Sequence, residues 1–319
     1  MSDLNLLPLA DPASELTQRK VHVSDLTAIL FAIGGFTFWV LCDTCVKWVG
    51  QSGLPSGEIV AFMGFFMTLT LGARAVMRRN VRSLRPHSIA RQLVRALLDT
   101  INNICVVVAL RHISLTTFYI LIFLSPLLIG ALSTIFLREQ MTAKKATALI
   151  VGFCGVVIAV APWSGSQKID AIGLAACLIC VTFFSINMVW SRVLTRTETP
   201  ESLAFCSGLV TAAGGLAFSS TQLQAPAFAI TMGLLLMGIF CAAGTLCFYV
   251  AVKHTSASNV SQYHYTQLPT GALISYLVWR DKPSVLMLVG GAMILGSGVV
   301  IALAARNGQR TAVAGAIGE

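Results

Sequence analysis

Ten continuous apolar runs constrain this chain more than anything else in it. They are Leu26–Val46, Ile59–Val76, Leu93–Leu110, Thr116–Leu137, Ala146–Ala161, Ile172–Trp190, Leu203–Ser219, Ile230–Val252, Asn259–Val278 and Val285–Ala304. A helix needs about 20 apolar residues to cross the hydrocarbon core of a bilayer, so each run predicts a transmembrane helix. Strands of a membrane barrel would alternate between lipid and lumen, and these runs do not alternate. Charged residues make up 11% of the chain, against about 25% in soluble domains. So few charges cannot cover a soluble surface. The net charge of +9 is scattered between the runs rather than clustered, so no nucleic-acid partner is expected. The expected fold class is all-α integral membrane.

Orientation follows from Lys and Arg, because basic loops resist crossing the membrane. With a cytoplasmic N-terminus, 16 of the 22 basic residues fall on the cytoplasmic side and five on the other, with Arg95 just inside a span. The basic hairpin from Met77 to Arg91 contributes most. Residues 1–25 lack the basic start and short apolar core of a signal peptide and read as a disordered cytoplasmic tail. Residues 306–319 read as a second cytoplasmic tail. The expected location is the cell inner membrane, multi-pass, with both termini cytoplasmic.

All nine cysteines fall within apolar runs. Cys42-Asp-Thr-Cys45 and Cys177-Leu-Ile-Cys180 match a C-x-x-C spacing, but cysteine in apolar helices behaves as a small hydrophobe. A structural zinc site needs four suitably spaced ligands. No metal or cofactor is expected.

The chain repeats itself. Ala109-Leu-Arg-His-Ile-Ser114 reads against Ala251-Val-Lys-His-Thr-Ser256, Leu137-Arg-Glu139 against Trp279-Arg-Asp281, and Gly155-Val-Val-Ile-Ala159 recurs as Gly298-Val-Val-Ile-Ala302. Such fixed offsets predict two five-span units, residues 26–162 and 170–305. Five is odd, so the second unit is expected to insert upside down. Inverted halves can exchange conformations and open a shared central site to either side in turn. Small residues four apart, Ala148 and Gly152, Gly155 and Ala159, Ala292 and Gly296, let helices approach closely in lipid. The fifth and tenth spans are therefore expected as scaffold or as the contact of a homodimer.

The ten spans, the basic turn after the second and the paired Leu137–Glu139 and Val278–Asp281 turns resemble the EamA family of the drug/metabolite transporter superfamily over about residues 25–305. Asp43-Thr-Cys-Val-Lys47-Trp48, Phe123-Leu-Ser-Pro126 and Gln267-Leu-Pro269 are similar to stretches in a subgroup that includes riboflavin and S-adenosylmethionine carriers. In span two, many of these relatives have an Arg-Phe pair where this chain has Gly64-Phe65. The resemblance implies a carrier with a small-molecule solute and no catalytic residues.

Ionisable groups inside a span are costly and point to function. Asp43 and Lys47 lie four apart and are expected to share a face and pair, or else to form a plain ion pair reaching the interface. Arg95, Asp99, Asn102 and Asn103 form a polar stripe on span three, which suits either a cavity wall or inter-helix hydrogen bonds. If transport is proton-coupled, Asp99 or Asp43 is the expected proton site. In span nine, His264, Gln267, Gly271 and Ser275 share one face. Pro269 and Pro126 are expected to free the carbonyls of Tyr265 and Ile122 at membrane depth, or only to kink their helices. Trp39, Tyr119, Phe123, Tyr263 and Tyr265 supply aromatic walls, which suit a flat, hydrogen-bonding solute. The expected binding residues are Trp39, Asn102, Asn103, Tyr119, Tyr263, His264 and Gln267, and the expected coupling or ion-pair residues are Asp43, Lys47 and Asp99.

The sequence thus predicts a secondary transporter moving an amphipathic, aromatic or heterocyclic metabolite by alternating access. A facilitative uniporter or exporter of amino acids or drugs is the nearest alternative. A channel would need a ring of charges or carbonyls, and a membrane enzyme would need a motif such as H-E-x-x-H or G-x-S-x-G. Neither is present in the sequence.

Overall fold

The computed structural model describes residues 12–125, 128–129, 131–132, 143–160, 170–219, 226–254, 260, 263–282, 284–286, 288–293 and 295–297, with the surroundings of most side chains from residue 27 onward. Helices account for the described architecture: α1 Pro12–Gly50, α2 Ser56–Met77, α3 Ile89–His112, α4 Leu115–Ile122, α5 Ala143–Val160, α6 Ala171–Leu194, α7 Pro200–Phe218, α8 Phe228–His254 and α9 Gln267–Trp279. Among the described residues, six helical segments are long and apolar enough to cross a bilayer: Thr27–Gly50, Ser56–Met77, Ile89–His112, Ala171–Leu194, Pro200–Phe218 and Phe228–His254. Parts of the fourth, fifth, ninth and tenth predicted spans lie outside the described residues, as do Pro126, residues 1–11 and the tail at 306–319.

Local chemistry sets several helix starts. The Ser114 side chain accepts from the Thr117 N–H, Asp170 from the Ile172 N–H, and Thr199 from the Ser202 N–H with Pro200 as the first helical residue. These are N-cap arrangements that satisfy otherwise orphaned donors. Helix α1 begins at Pro12, so residues 12–25, expected to be disordered, extend the first helix beyond its apolar span. Their proline opens the helix, where its missing N–H costs nothing.

The outside of the bundle is apolar. Phe65 and Leu69 on α2, Leu93 and Leu97 on α3, and Leu209 and Leu216 on α7 are large and exposed. A continuous apolar exterior of this kind belongs in lipid rather than water.

Helices from the two parts of the chain interleave. The most extensive packing joins α1 to α8, α2 to α7 and α3 to α6, and α4 packs on α9. Exchanging α1 with α6, α2 with α7, α3 with α8 and α4 with α9 carries this set of pairs onto itself. Directions are opposed as well. Helix α1 ends, and α6 begins, at the end of the bundle where His112 meets Asp170. Helix α2 ends, and α7 begins, at the other end, where Arg74 lies 3.6 Å from Glu201. These are called below the Gly50 end and the Arg74 end.

At the α2–α7 crossing the two backbones come into direct contact. Gly57, Ala61 and Gly64 lie against Gly208, Ala212, Gly215 and Ser219, so closely that a Cβ on Gly57, Gly64 or Gly215 would overlap the opposite backbone. Small residues four apart allow this approach. The fifth and tenth spans are the ones expected in that role from the sequence. In the structure Gly152 and Gly155 of α5 are buried within the single chain, while Ile150 and Phe153 face outward.

Candidate functional site

A central cavity of about 90 Å³ lies between the two parts of the chain, with walls from α1, α2, α3, α4, α6, α8 and the segment opening α9. Trp39, Asp99, Phe184 and Cys241 line it, each near the middle of its span. The hollow therefore sits at mid-depth in the bundle. A cavity of this size holds several waters, since one water needs about 10–15 Å³. It is smaller than the ~300–1,000 Å³ pockets that enclose organic ligands.

Eight of the ten expected site residues line it: Trp39, Asp43, Asp99, Asn102, Asn103, Tyr119, His264 and Gln267. Their polar atoms are held by specific partners. The Tyr119 hydroxyl donates to Asp43 Oδ2 at 2.7 Å. Asn187 Nδ2 donates to Asp99 Oδ1 at 3.2 Å, and Cys180 Sγ to Asn102 Oδ1 at 3.1 Å. Asn103 Nδ2 reaches Thr211 Oγ1 at 3.4 Å, Trp39 Nε1 reaches Thr245 Oγ1 at 3.4 Å, and Gln267 Nε2 donates to the Phe36 carbonyl at 3.1 Å. His264 is buried. Its ring stacks on Phe36 with centroids 4.8 Å apart, and its Nδ1 lies 3.3 Å from Ser125 Oγ.

Two of the ten do not line it. Lys47 does not pair with Asp43. Its Nζ donates to the Ile113 carbonyl at 3.0 Å and sits over the Trp279 ring at 5.5 Å. The carbonyl that closes α3 offers the negative end of a helix dipole, and Asp43 already accepts from Tyr119. Tyr263 opens the 3₁₀ turn Tyr263–Thr266 and packs on the core without reaching the cavity.

Three further expectations need correction or narrowing. Arg95 does not continue the Asp99 stripe. It is fully buried and turned away, donating to the Tyr249 hydroxyl, to the Leu203 carbonyl at 2.7 Å and to Ser207 Oγ at 2.8 Å. Pro269 is the third residue of α9, in the first turn, where helical N–H groups lack intrahelical partners anyway. It shapes a helix start rather than a kink. Phe123 packs edge-on against His264 in the core, and the Tyr265 side chain lies outside the described residues.

The reading of the sequence missed Asn187, Thr245, Phe184, Phe248 and Tyr249 on the far wall. Asn187 is an amide inside the apolar run Ile172–Trp190, where a polar side chain needs a partner or a cavity.

Both ends of the bundle are tied across the chain. At the Arg74 end, Glu198 accepts from the backbone N–H groups of His87 and Ser88 at 2.9 and 2.8 Å, capping the start of α3. Burial would raise the Glu198 carboxyl. These two donors, with Gln92 and Ser202, outweigh it and hold the group below the usual carboxylate range. At the Gly50 end, His112 Nδ1 lies 2.9 Å from Asp170 Oδ2. That hydrogen bond, with the Ile172 N–H, holds Asp170 below its usual range. A separate hollow of about 610 Å³ at the Gly50 end is lined by Lys47, Arg111 and His112. Among the described residues no cluster of three or more His, Cys, Asp or Glu is arranged to hold a metal.

The profile of the EamA-like transporter family matches this chain twice, at residues 26–161 and 171–303. A riboflavin transporter of Brucella anthropi is 25% identical over 279 residues, which cover 85% of this chain and 96% of that protein. A pseudopaline exporter of Pseudomonas aeruginosa is 26% identical, covering 84% and 92%. An S-adenosylmethionine uptake transporter of Rickettsia bellii is 24% identical, covering 79% and 85%. A solved crystal structure of a protein 17% identical to this chain shares its fold with a TM-score of 0.65, over 88% of this chain and 98% of that one.

Proposed function

Because this chain belongs to the EamA-like transporter family, we propose that it is a secondary carrier that moves a small organic metabolite through the central cavity by alternating access. The chain is a multi-pass membrane protein and a transporter rather than an enzyme. The observation that carries the rest is the position of the cavity: at mid-depth, between helices that run in opposite directions and pair by exchange of α1–α4 with α6–α9. Two inverted units of like shape can trade conformations, and that trade opens a shared site to one side and then the other. The two matched stretches, 26–161 and 171–303, support reading the units as repeats.

The ties at both ends and the small cavity volume fit a contracted state from which either end opens. The basic residues support placing the Arg74 end in the cytoplasm and the protein in the cell inner membrane. Asp99 or Asp43 is the proton site if uptake is driven by a proton gradient, since intramembrane carboxylates commonly serve as relays.

Reconstituted vesicles test the reading. Uptake of radiolabelled riboflavin or S-adenosylmethionine that saturates with concentration, and that is accelerated by unlabelled solute on the opposite side, is the expected result. Flux that rises linearly would replace the carrier by a pore. Asp99→Asn is expected to abolish accumulation against a gradient while leaving exchange intact, and unchanged uphill uptake would remove the proton role.

A further inference from the structure

We propose that the central cavity selects a cationic aromatic solute, a flat ring bearing an ammonium or sulfonium group, over neutral and anionic solutes with the same ring. This rests on the reading of the cavity as the solute site and adds a charge to it.

Two carboxylates, Asp43 and Asp99, line the cavity, and no Lys or Arg does. The nearby cations are committed elsewhere. Lys47 is bound to the Ile113 carbonyl, Arg111 to the Leu54 carbonyl and Ser56, and both face the hollow at the Gly50 end. Arg95 stands behind Tyr249, 5.2 Å from its ring, and spends its Nη donors on α7 and α8. The cavity wall therefore carries two acidic side chains and no basic one.

The carboxylates are also incompletely satisfied. Asp43 accepts through Oδ2 and Asp99 through Oδ1, and the second oxygen of each takes no hydrogen bond among the described residues. The other polar groups on the wall are amides, hydroxyls, thiols, the Trp39 indole and the His264 imidazole. A carboxylate at mid-depth, partly shielded from bulk water, carries a cost that an opposite charge beside it reduces. An anion in the same place would add to it.

Around these charges stand Trp39, Tyr119, Phe184 and Phe248. Trp39 lies 5.1 Å from Phe248 and 6.0 Å from Phe184, centroid to centroid. Aromatic faces attract cations through their quadrupole and also stack on flat rings. One wall therefore recognises both parts of such a solute.

The test uses three indoles that differ in charge: tryptamine, tryptophol and indole-3-acetate. Each is titrated into the purified full-length protein, and apparent thermal stability gives the affinity. Tryptamine is expected to bind at least about ten-fold tighter than indole-3-acetate, with tryptophol between them. Asp43→Asn and Asp99→Asn are expected to bring that ratio toward one while tryptophol binding persists. Indole-3-acetate or tryptophol matching tryptamine, no shift with any of the three, or an unchanged ratio in both variants would each overturn the proposal. The wild-type ranking decides alone if the variants fail to fold. Saturable vesicle uptake of riboflavin or S-adenosylmethionine with the ranking reversed would leave the carrier reading standing without the charge preference.

Discussion

The α2–α7 crossing and the central cavity are built by opposite means within one bundle. At the crossing side chains are nearly absent, the backbones meet, and no room is left for water or solute. In the cavity side chains are large and polar, and their hydrogen bonds hold a hollow open. The difference separates two jobs. A crossing of glycine and alanine suits a fixed pivot, since interiors packed this densely have low compressibility. A wall of aromatic rings and single hydrogen bonds can rearrange at modest cost, because each such bond contributes about 1 kcal/mol net.

The comparison breaks most directly at Gly64. Its Cβ position is occupied by the backbone of Ala212, with the Gly208 carbonyl beside it. Gly64→Arg puts a charged side chain of arginine length where no atom fits. Overpacking by much smaller groups already costs about 1–3 kcal/mol, so this variant is expected to fail to accumulate as a monodisperse protein in size-exclusion chromatography. Gly72→Ala on the same helix meets only the Phe205 ring at 3.8 Å and is expected to behave as wild type. Equal tolerance at both positions would mean that α2 and α7 do not form the pivot.

That crossing shows where the sequence was and was not legible. The six long spans were readable because about 20 apolar residues in a row have few other uses. Asp99, Asn102 and His264 were readable because a polar side chain in such a run needs a reason. Gly57, Ala61 and Gly64 give no such signal: small apolar residues look alike whether they face lipid or a partner backbone. Gly64 stood out only as the place of an absent arginine, and the structure supplies the reason, since the helix-helix contact fills that space. Lys47 and Arg95 mark another limit. A spacing of four says which side chains are able to meet, whereas a competing carbonyl or hydroxyl on another helix decides which do. Asn187 and Thr245 became site residues only once α6 and α8 were set against α3 and α1.

On the cavity side the effects are expected in binding rather than folding. Gln267→Ala removes the hydrogen bond to the Phe36 carbonyl, and His264→Ala removes the ring that stacks on Phe36 and packs against Phe184. Both variants are expected to elute as monodisperse protein and to bind transported solute roughly ten-fold more weakly, as loss of one good polar contact of about 1.4 kcal/mol implies. Thermal shift with the solute that saturates in vesicles measures it. Wild-type affinity in both would move the site away from α9, and aggregation of both would erase the distinction between wall and pivot.

The smallest effect is expected at the rim, where an alternating-access carrier must let go. His112 and Asp170 join the two parts of the chain at the Gly50 end, and both are exposed. An exposed contact contributes little and is screened by salt. Its sign with pH is nonetheless fixed. The hydrogen bond from His112 depresses the Asp170 carboxyl, so its contribution is complete above the ordinary aspartate value of about 3.9. It is lost as pH falls through the lower folded value. Asp170→Asn keeps the side-chain oxygen that caps α6, since Asn caps as well as Asp, and removes only the charge. The variant is therefore expected to melt slightly below wild type at pH 7 in low salt, and together with wild type in strong acid or high salt. A difference that survives in acid would assign the effect to the cap. A loss approaching that of Gly64→Arg would show that the rim holds the halves together as firmly as the crossing does, and a carrier bound that tightly at its mouth could not open there.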